Sequence, residues 1–163
     1  MGFTVRALRV EETYDLRRAV LRASAPEAVV HYDTDDEPST WHLGAVDAEG
    51  RVVATSTYFP QPCPPDVRPP DACPADVGGW ADAYRLRSMA VDPGRQGSGV
   101  GRAVLLEALA RLSAAGVPLL WANARDSALG FYTCCGFEAV GTSFVDADSG
   151  LPHTVVLRRV GGR

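Results

Sequence analysis

The sequence predicts an α/β fold: a single domain over residues 1–163, with helices packed on a mixed, mostly antiparallel sheet of about seven strands. A length of 163 residues suits one domain that buries about 70% of its unfolded surface. The apolar content of 46% is ordinary for a soluble globular protein. Strand-type alternation and helix-type spacing follow one another in the order βααβββαβαββ, without internal repeats. We therefore expect one layered α/β domain.

In the first half of the chain, the spacing of apolar residues predicts three strands and two helices. Leu16, Ala19, Val20 and Ala23 recur at the spacing of one helical face. Residues 47–50 form a typical hairpin turn between two apolar runs. We expect a strand over 3–8, a helix over 11–24, a short helix over 27–31, and strands over 41–46 and 51–59.

The second half begins with a proline-rich stretch, residues 60–79, that holds most of the twelve prolines of the chain. Such long loops in compact domains are usually functional or mobile. Beyond it, Gly116 followed by Pro118 ends a helix with strong apolar periodicity. We expect strands over 83–91, 119–122, 137–145 and 154–160, a helix over 99–115, and a second helix from Asp126 or Ser127 to Gly136.

Three glycines at alternate positions, Gly97, Gly99 and Gly101, stand between a predicted strand and a predicted helix. Glycine lets the backbone approach a ligand closely and take positive φ at little cost. The first turn of the following helix presents unpaired N–H groups and the positive end of its dipole to an anion. The segment therefore predicts a cradle for phosphate or pyrophosphate.

Two familiar phosphate loops are excluded by the residues present. A Walker loop ends in Gly-Lys-Ser/Thr, but Gly99 is followed by Val100 and the chain contains no lysine. A dinucleotide fingerprint needs Gly-x-Gly-x-x-Gly, and its third glycine would fall on Arg102 or Val104. A nucleotide-binding switch is therefore not expected.

The pattern that does fit, Gln96-x-x-Gly99-x-Gly101, resembles the pyrophosphate loop of the acyl-CoA-dependent N-acetyltransferases of the GNAT superfamily. A second block, Ala128-x-x-Phe131-Tyr132-x-x-x-Gly136-Phe137, follows a strand with an Asn near its end and resembles the second signature of that family. The resemblance covers nearly the whole chain and is most specific over residues 86–137. Within the superfamily, the chain resembles one bacterial branch. The resemblance implies the GNAT fold, with helices on both faces of a twisted sheet and two central strands that splay around the pantetheine arm.

The resemblance also implies acetyl-CoA as cosubstrate and a role for each matching residue in direct attack of an amine on the thioester. Tyr132 is the candidate general acid for the departing thiolate, because a phenol near pKa 10 can protonate it. Asn123 is expected to bond the pantetheine amides, and the strand residues Met89, Ala90 and Val91 to offer backbone N–H groups to the acetyl oxygen and pantetheine. The pyrophosphate is expected on the loop residues Gln96, Gly97, Ser98, Gly99, Val100, Gly101 and Arg102.

Several alternatives stay open at this point. The general base is His153, His42, Asp82 or Asp92, or an ordered water, and Asp92 before Pro93 is better explained as a turn former. The proline-rich stretch is expected to border the acceptor site. The alternative to an N-acetyltransferase is a non-catalytic module that binds or senses acyl-CoA.

Composition limits the partners. With a net charge of −4 and scattered arginines, nucleic acid is not expected, and no apolar run approaches the roughly 18 residues of a membrane span. The four cysteines lack zinc spacing, so no metal is expected. Cys135 is expected in the core, and Cys63 and Cys73 could bridge under oxidation. The start lacks a secretory core, which favours the cytoplasm. The acceptor is a small-molecule or peptide amine, and a homodimer stays open.

Overall fold

The computed structural model describes residues 2–65 and 81–161. They cluster in two compact units, residues 2–59 with 87–110, and residues 60–65 with 81–86 and 111–161. Most of the proline-rich stretch, including Cys73, lies outside the described residues. The expectations that this stretch borders the acceptor and that Cys73 can bridge Cys63 therefore stay predictions.

Seven strands in the described residues form one mixed sheet in the order β1-β2-β3-β4-β5-β7-β6. The predicted α/β class is therefore confirmed, with each strand within two or three residues of its predicted bounds. The strands are β1 (Phe3–Leu8), β2 (Trp41–Asp47), β3 (Val52–Pro60), β4 (Tyr84–Val91), β5 (Leu119–Arg125), β6 (Glu138–Val145) and β7 (Pro152–Arg159).

In the first unit, β1, β2 and β3 form antiparallel ladders. The register shifts between Ala45 and Val46, so a bulge precedes the turn that joins β2 to β3. The predicted hairpin turn is confirmed, because the Gly50 N–H donates to the Asp47 carbonyl at 3.1 Å and Gly50 has a φ of 82°. This hairpin turn lies close to the glycine loop, residues 96–102, because Asp47 is 3.6 Å from Arg95.

The helical run after β1 has three short pieces, a 3-10 turn Val10–Thr13, an α-helical turn α1 (Tyr14–Leu16) and a π-helical turn Arg17–Leu21. The helix predicted to residue 24 therefore ends three residues early. The short helix predicted over 27–31 is wrong, and a 3-10 turn occupies Asp33–Asp36 instead. That turn forms because the buried Asp35 carboxylate accepts the Tyr32 N–H at 3.0 Å and binds the Arg17 guanidinium at 2.6 Å.

In the second unit, β5 and β6 both pair antiparallel with β7, and the start of β4 pairs parallel with β5 over Tyr84–Leu120, Arg85–Trp121 and Leu86–Ala122. The Trp121 indole N–H donates to the Gln61 carbonyl at 2.9 Å, which ties the chain after β3 to this sheet. A core cluster of buried side chains lies here: Cys63, Ala83, Leu119, Trp121, Val155 and Leu157.

Helix α2 (Val100–Ala114) matches its prediction to within one residue at each end. It ends because Gly116, at φ 73°, and Val117 donate their N–H groups to the carbonyls of Ser113 and Leu112, both at 3.0 Å. The short helix α3 (Leu129–Cys134) follows a 3-10 turn Asp126–Ala128. The expected apolar face of α2 is buried: Val104, Leu105, Ala108, Leu109 and Leu112. No helix in the described ranges is long and apolar enough to cross a membrane.

Candidate active site

The glycine loop lies in the first unit, between the end of β4 and the start of α2. Gly97 and Gly99 have φ values of 76° and 83°, and a Cβ on either would meet no atom within 4 Å. The backbone therefore needs glycine for its conformation, and the space beside it is open. Residues 96–99 are exposed, so a ligand can reach their backbone groups.

The first turn of α2 follows this loop directly. The Ala103 N–H donates to the Gly99 carbonyl at 3.0 Å, so Gly99 stands at the helix start. The N–H groups of the next three residues, Val100, Gly101 and Arg102, have no acceptor within the helix, and they carry the positive end of its dipole. Exposed loop N–H groups and a helix start favour bound anions, and the assignment of these residues to the pyrophosphate of CoA stays a prediction.

Met89, Ala90 and Val91 lie at the end of β4 as expected, with Ala90 buried and the other two half-buried. The residue before them, Ser88, has a φ of 54°, and it is the one non-glycine residue with positive φ among the described residues. Such a conformation is uncommon outside glycine and costs about 1–3 kcal/mol. A backbone distortion therefore stands directly before the strand residues predicted to face the thioester, and the sequence did not indicate it.

Asn123 lies in the second unit and within β5, where it pairs with Val155 of β7. The strand predicted to end at Ala122 continues to Arg125. Asn123 is half-buried, which leaves part of it accessible. Its prediction as a ligand for pantetheine amides stays a prediction.

Tyr132 lies on α3 in the second unit and is 6% exposed. Its ring contacts Phe131 and Phe137 edge to face, at centroid distances of 5.2 and 5.4 Å. Burial, with a smaller contribution from Cys135, raises the pKa of the Tyr132 phenol above its ordinary value of 10. The phenol is therefore protonated at neutral pH, which is the form a proton donor requires.

The four side chains predicted as candidate bases have different surroundings. His42 is buried, and its Nδ1 lies 2.8 Å from the Thr57 hydroxyl. Burial lowers the pKa of His42. His153 is buried with Nδ1 2.9 Å from the Leu151 carbonyl. Asp92 accepts the Gly94 N–H at 2.8 Å, as a turn former does, and Asp82 is exposed.

A third histidine, His31, takes part in a hydrogen-bond chain that the sequence did not suggest. Its Nε2 lies 2.8 Å from an Asp36 carboxylate oxygen, and its Nδ1 lies 2.6 Å from the Tyr14 hydroxyl. The Asp36 carboxylate favours the His31 tautomer with a proton on Nε2. The unprotonated Nδ1 then accepts a hydrogen bond from the Tyr14 hydroxyl. His31 lies seventeen residues after Tyr14 in the chain. Only the folded chain brings the two side chains together.

The cysteines agree with the interpretation of Cys135 as a core residue, since Cys135 is buried and Cys134 is exposed. Within residues 2–65 and 81–161, no group of three His, Cys, Asp or Glu side chains is placed to hold a metal ion.

Known proteins resemble this chain in sequence and in fold. The sequence profile of the acetyltransferase (GNAT) family matches residues 10–137. An uncharacterized N-acetyltransferase, YitI, from Bacillus subtilis (strain 168) is 29% identical over 140 residues, which cover 86% of this chain and 85% of that protein.

Two solved structures illustrate the shared fold. The ribosomal-protein-S18-alanine N-acetyltransferase of Escherichia coli superposes with a TM-score of 0.67 at 17% identity, covering 99% of this chain and 96% of that one. An aminoglycoside 6'-N-acetyltransferase in complex with coenzyme A superposes with a TM-score of 0.67 at 14% identity, covering 98% of both chains. At these identities the likeness establishes the fold alone, and the profile match over most of the chain establishes the family. The chain belongs to the GNAT acetyltransferase family and is an N-acetyltransferase that depends on acyl-CoA.

Proposed function

We propose that this protein transfers the acetyl group of acetyl-CoA to a primary amine by direct attack, without an acetylated enzyme intermediate. The observation that carries the proposal is the glycine loop, whose positive-φ backbone opens into the first turn of α2. The acceptor is a small-molecule or peptide amine. A single domain over residues 1–163 catalyses the reaction in the cytoplasm, where acyl-CoA is available.

Each predicted residue has a role in this proposal. Backbone N–H groups of residues 96–102 hold the pyrophosphate, and Asn123 bonds the pantetheine amides. Backbone N–H groups of Met89, Ala90 and Val91 hold the pantetheine and the acetyl oxygen, which gains negative charge as the amine attacks. Holding the thioester and the amine together removes much of the entropic cost of the reaction.

The chemical step needs two proton transfers. The amine nitrogen forms a bond to the carbonyl carbon, and the bond from that carbon to sulfur breaks with its electron pair on sulfur. Tyr132 gives its phenol proton to the thiolate and regains one from solvent. The nitrogen loses a proton to a side chain or to water. The Tyr132 phenol is protonated before the reaction starts, and because its raised pKa makes it a weak acid, it gives its proton only as negative charge builds on sulfur.

The test of the loop is the binding of CoA, measured by calorimetry on the wild type and on Gly99→Ala. Gly116→Ala is the matched control, since Gly116 has a similar φ of 73° and equally open space. Both changes strain the backbone by about 1–2 kcal/mol. Only Gly99→Ala is expected to weaken CoA binding by tenfold or more. Equal affinities in all three proteins would refute the loop assignment.

Turnover is tested separately, with acetyl-CoA and a panel of amines, by release of free thiol and by the mass of the acetylated product. An amine-dependent release of CoA without acetyl-cysteine on the protein supports direct attack. An acetylated cysteine that forms and decays at the rate of turnover would replace it with a covalent route.

A further inference from the structure

Asp47, at the end of β2, is a buried carboxylate that the proposed chemistry does not use. Its side chain is 1% exposed. One carboxylate oxygen accepts the N–H groups of Glu49 and Arg51 at 3.1 and 2.9 Å. The other lies 2.9 Å from Nη2 of Arg51 and 3.6 Å from Nη2 of Arg95. The backbone and side-chain hydrogen bonds from Arg51, with a smaller contribution from the Glu49 N–H, outweigh burial and lower the pKa of Asp47, so the group is charged at neutral pH.

Arg95 lies directly before the glycine loop, residues 96–102, at the end of the 3-10 turn Pro93–Arg95. Its own N–H donates to the Asp92 carbonyl at 2.8 Å. Its carbonyl accepts the N–H of Ser98 at 3.2 Å and the Ser98 hydroxyl at 2.5 Å. Gly97 lies inside this turn. The side chain of Arg95 is 19% exposed, and its Nη2 atom lies 3.6 Å from the Asp47 carboxylate.

We propose that Asp47 is a positioning residue for acyl-CoA, which holds Arg95 and thereby fixes the shape of the glycine loop before the ligand binds. The proposal rests on the proposed function of that loop. A loop held in its binding shape loses less conformational freedom on binding, so the pairing is expected to strengthen affinity rather than the rate of the chemical step.

The sign of the effect separates this role from simple electrostatics. Asp47 carries a negative charge close to a loop expected to bind a pyrophosphate. If Asp47 acted through its charge alone, its neutralisation would tighten CoA binding, because like charges repel. If Asp47 positions Arg95, its neutralisation weakens binding, because the loop loses its attachment to the β2–β3 turn.

The structure supplies a closely matched control. Asp146 begins the turn between β6 and β7 as Asp47 begins the turn between β2 and β3. In both turns the aspartate N–H donates to the residue that closes the turn, and its carbonyl accepts a glycine N–H. The Asp146 carboxylate accepts the N–H and hydroxyl of Ser149 at 2.9 and 2.8 Å. Asp146→Asn therefore perturbs a similar turn without touching Arg95.

The experiment measures CoA binding by calorimetry and steady-state kinetics for Asp47→Asn, Asp146→Asn, Arg95→Gln and the double variant Asp47→Asn/Arg95→Gln. Asparagine keeps an oxygen for the turn N–H groups. We expect Asp47→Asn to raise Kd and KM for the CoA ligand about five- to tenfold, with kcat changed less than about twofold. The double variant should bind CoA no more weakly than the single variant with the lower affinity, because both substitutions break the same Asp47–Arg95 interaction. Asp146→Asn should bind like the wild type.

Affinity in Asp47→Asn that equals or exceeds the wild-type affinity would overturn the proposal, as would additive losses in the double variant. If Asp47→Asn does not fold, Arg95→Gln and Arg95→Lys decide: lysine keeps the charge that pairs with Asp47, so it should recover at least half of the lost binding free energy. Failure of the proposed function gives a different result, because Gly99→Ala would then bind CoA as tightly as the wild type does.

Discussion

Replacing Tyr132 with phenylalanine removes the hydroxyl that the proposed chemistry needs and little volume. The ring keeps its contacts with Phe131 and Phe137, so folding and acetyl-CoA affinity should survive. General acid catalysis typically contributes about 10²–10⁴-fold, and we expect kcat to fall within that range with KM for acetyl-CoA unchanged. The measurement is steady-state kinetics with a reactive amine.

The control for this change is Tyr84→Phe, which removes a hydroxyl from a half-buried tyrosine of the same unit. It should keep full activity. Because burial raises the pKa of Tyr132, loss of its proton should not reduce activity below about pH 10 in the wild type. A Tyr132→Phe enzyme as fast as the wild type would make Tyr132 a packing residue.

Arg17 and Asp35 form the best-shielded ion pair described in the first unit, each with a side chain that is 1% exposed. Two guanidinium nitrogens reach the two carboxylate oxygens at 2.6 and 3.1 Å. Burial alone would raise the pKa of Asp35, but the hydrogen bonds from Arg17 and the Tyr32 N–H outweigh it and lower the pKa. Asp35 is therefore a buried charge that depends on its partner.

Arg17→Met should lower the free energy of unfolding by about 3–5 kcal/mol, because it leaves the Asp35 charge buried without its cation. The double variant Arg17→Met/Asp35→Leu should recover much of that loss, since neither charge remains. Urea denaturation at neutral pH measures both. A double variant no more stable than Arg17→Met would mean that lost packing, rather than an unpaired charge, explains the damage.

Neither this pair nor the His31 chain could be read from the sequence. Asp35 stands among acidic neighbours in residues 33–37, a composition typical of exposed loops. It is buried nevertheless, because Arg17 lies eighteen residues earlier on a helical turn that faces it. A lone histidine among acidic residues carries no positional signal, since the Tyr14 hydroxyl reaches it only through the fold. The Ser88 distortion is likewise a property of the backbone.

At the scale of elements, local signals predicted α2 best. Its apolar periodicity marks the body of the helix, and Gly116 marks its end. The predicted bounds were wrong where contacts between residues distant in the sequence determine the secondary structure. Strand β5 runs three residues past its predicted end because Asn123, Ala124 and Arg125 pair with β7. The helix predicted over 27–31 gave way to the turn that the Arg17–Asp35 pair stabilises.

Helix α3 provides an element-scale prediction, because its end is closed by Gly136 at φ 78°. The Phe137 N–H donates to the Tyr132 carbonyl at 3.0 Å across this cap. A Cβ on Gly136 would lie 3.4 Å from the Arg158 guanidinium. That is an ordinary van der Waals distance, so Gly136→Ala should lower the free energy of unfolding by about 1–2 kcal/mol through backbone strain alone.

Gly150→Ala is the matched control, since Gly150 has a φ of 67° and no neighbour within 4 Å of an added Cβ. Both variants carry the backbone strain, and only Gly136→Ala meets the guanidinium. Urea denaturation of the two proteins therefore isolates the contact. Equal losses of unfolding free energy are expected, and a larger loss in Gly136→Ala would mean that the contact with Arg158 is unfavourable.

For the whole molecule, His42 predicts how stability depends on pH. Burial lowers its pKa in the folded protein below the unfolded value of 6.5. Below pH 6.5 the unfolded chain therefore binds a proton that the folded protein resists, and stability falls as pH falls, by at most about 1.4 kcal/mol per pH unit for one group. The loss continues down to the folded pKa. Carboxylates such as Asp35 affect stability at a lower pH than His42 does, because their pKa in the unfolded chain is near 3.8.

His42→Asn should flatten this part of the profile between pH 6.5 and about pH 5, whatever it does to stability at pH 7.5. The measurement is urea denaturation at half-unit steps of pH. A slope that persists in the variant would assign the loss to other groups.

The family and the glycine loop could be predicted from the sequence because both rest on short local patterns, in which Gly99 and Tyr132 stand at fixed spacings. What holds the loop in place could not. Asp47 lies 48 residues before Arg95, and only the bulged hairpin brings the two side chains together.

Serine at position 88 is expected to lower thermal stability and to favour turnover. A serine held at φ 54° costs folding energy that glycine at the same position would not. Glycine would also let the strand before Met89 relax into other shapes, which removes the advance ordering of the N–H groups proposed to face the acetyl oxygen. Proteins commonly trade stability for function in this way. A population selected only to survive heating is therefore expected to accumulate glycine at position 88, whereas one selected for turnover should retain serine.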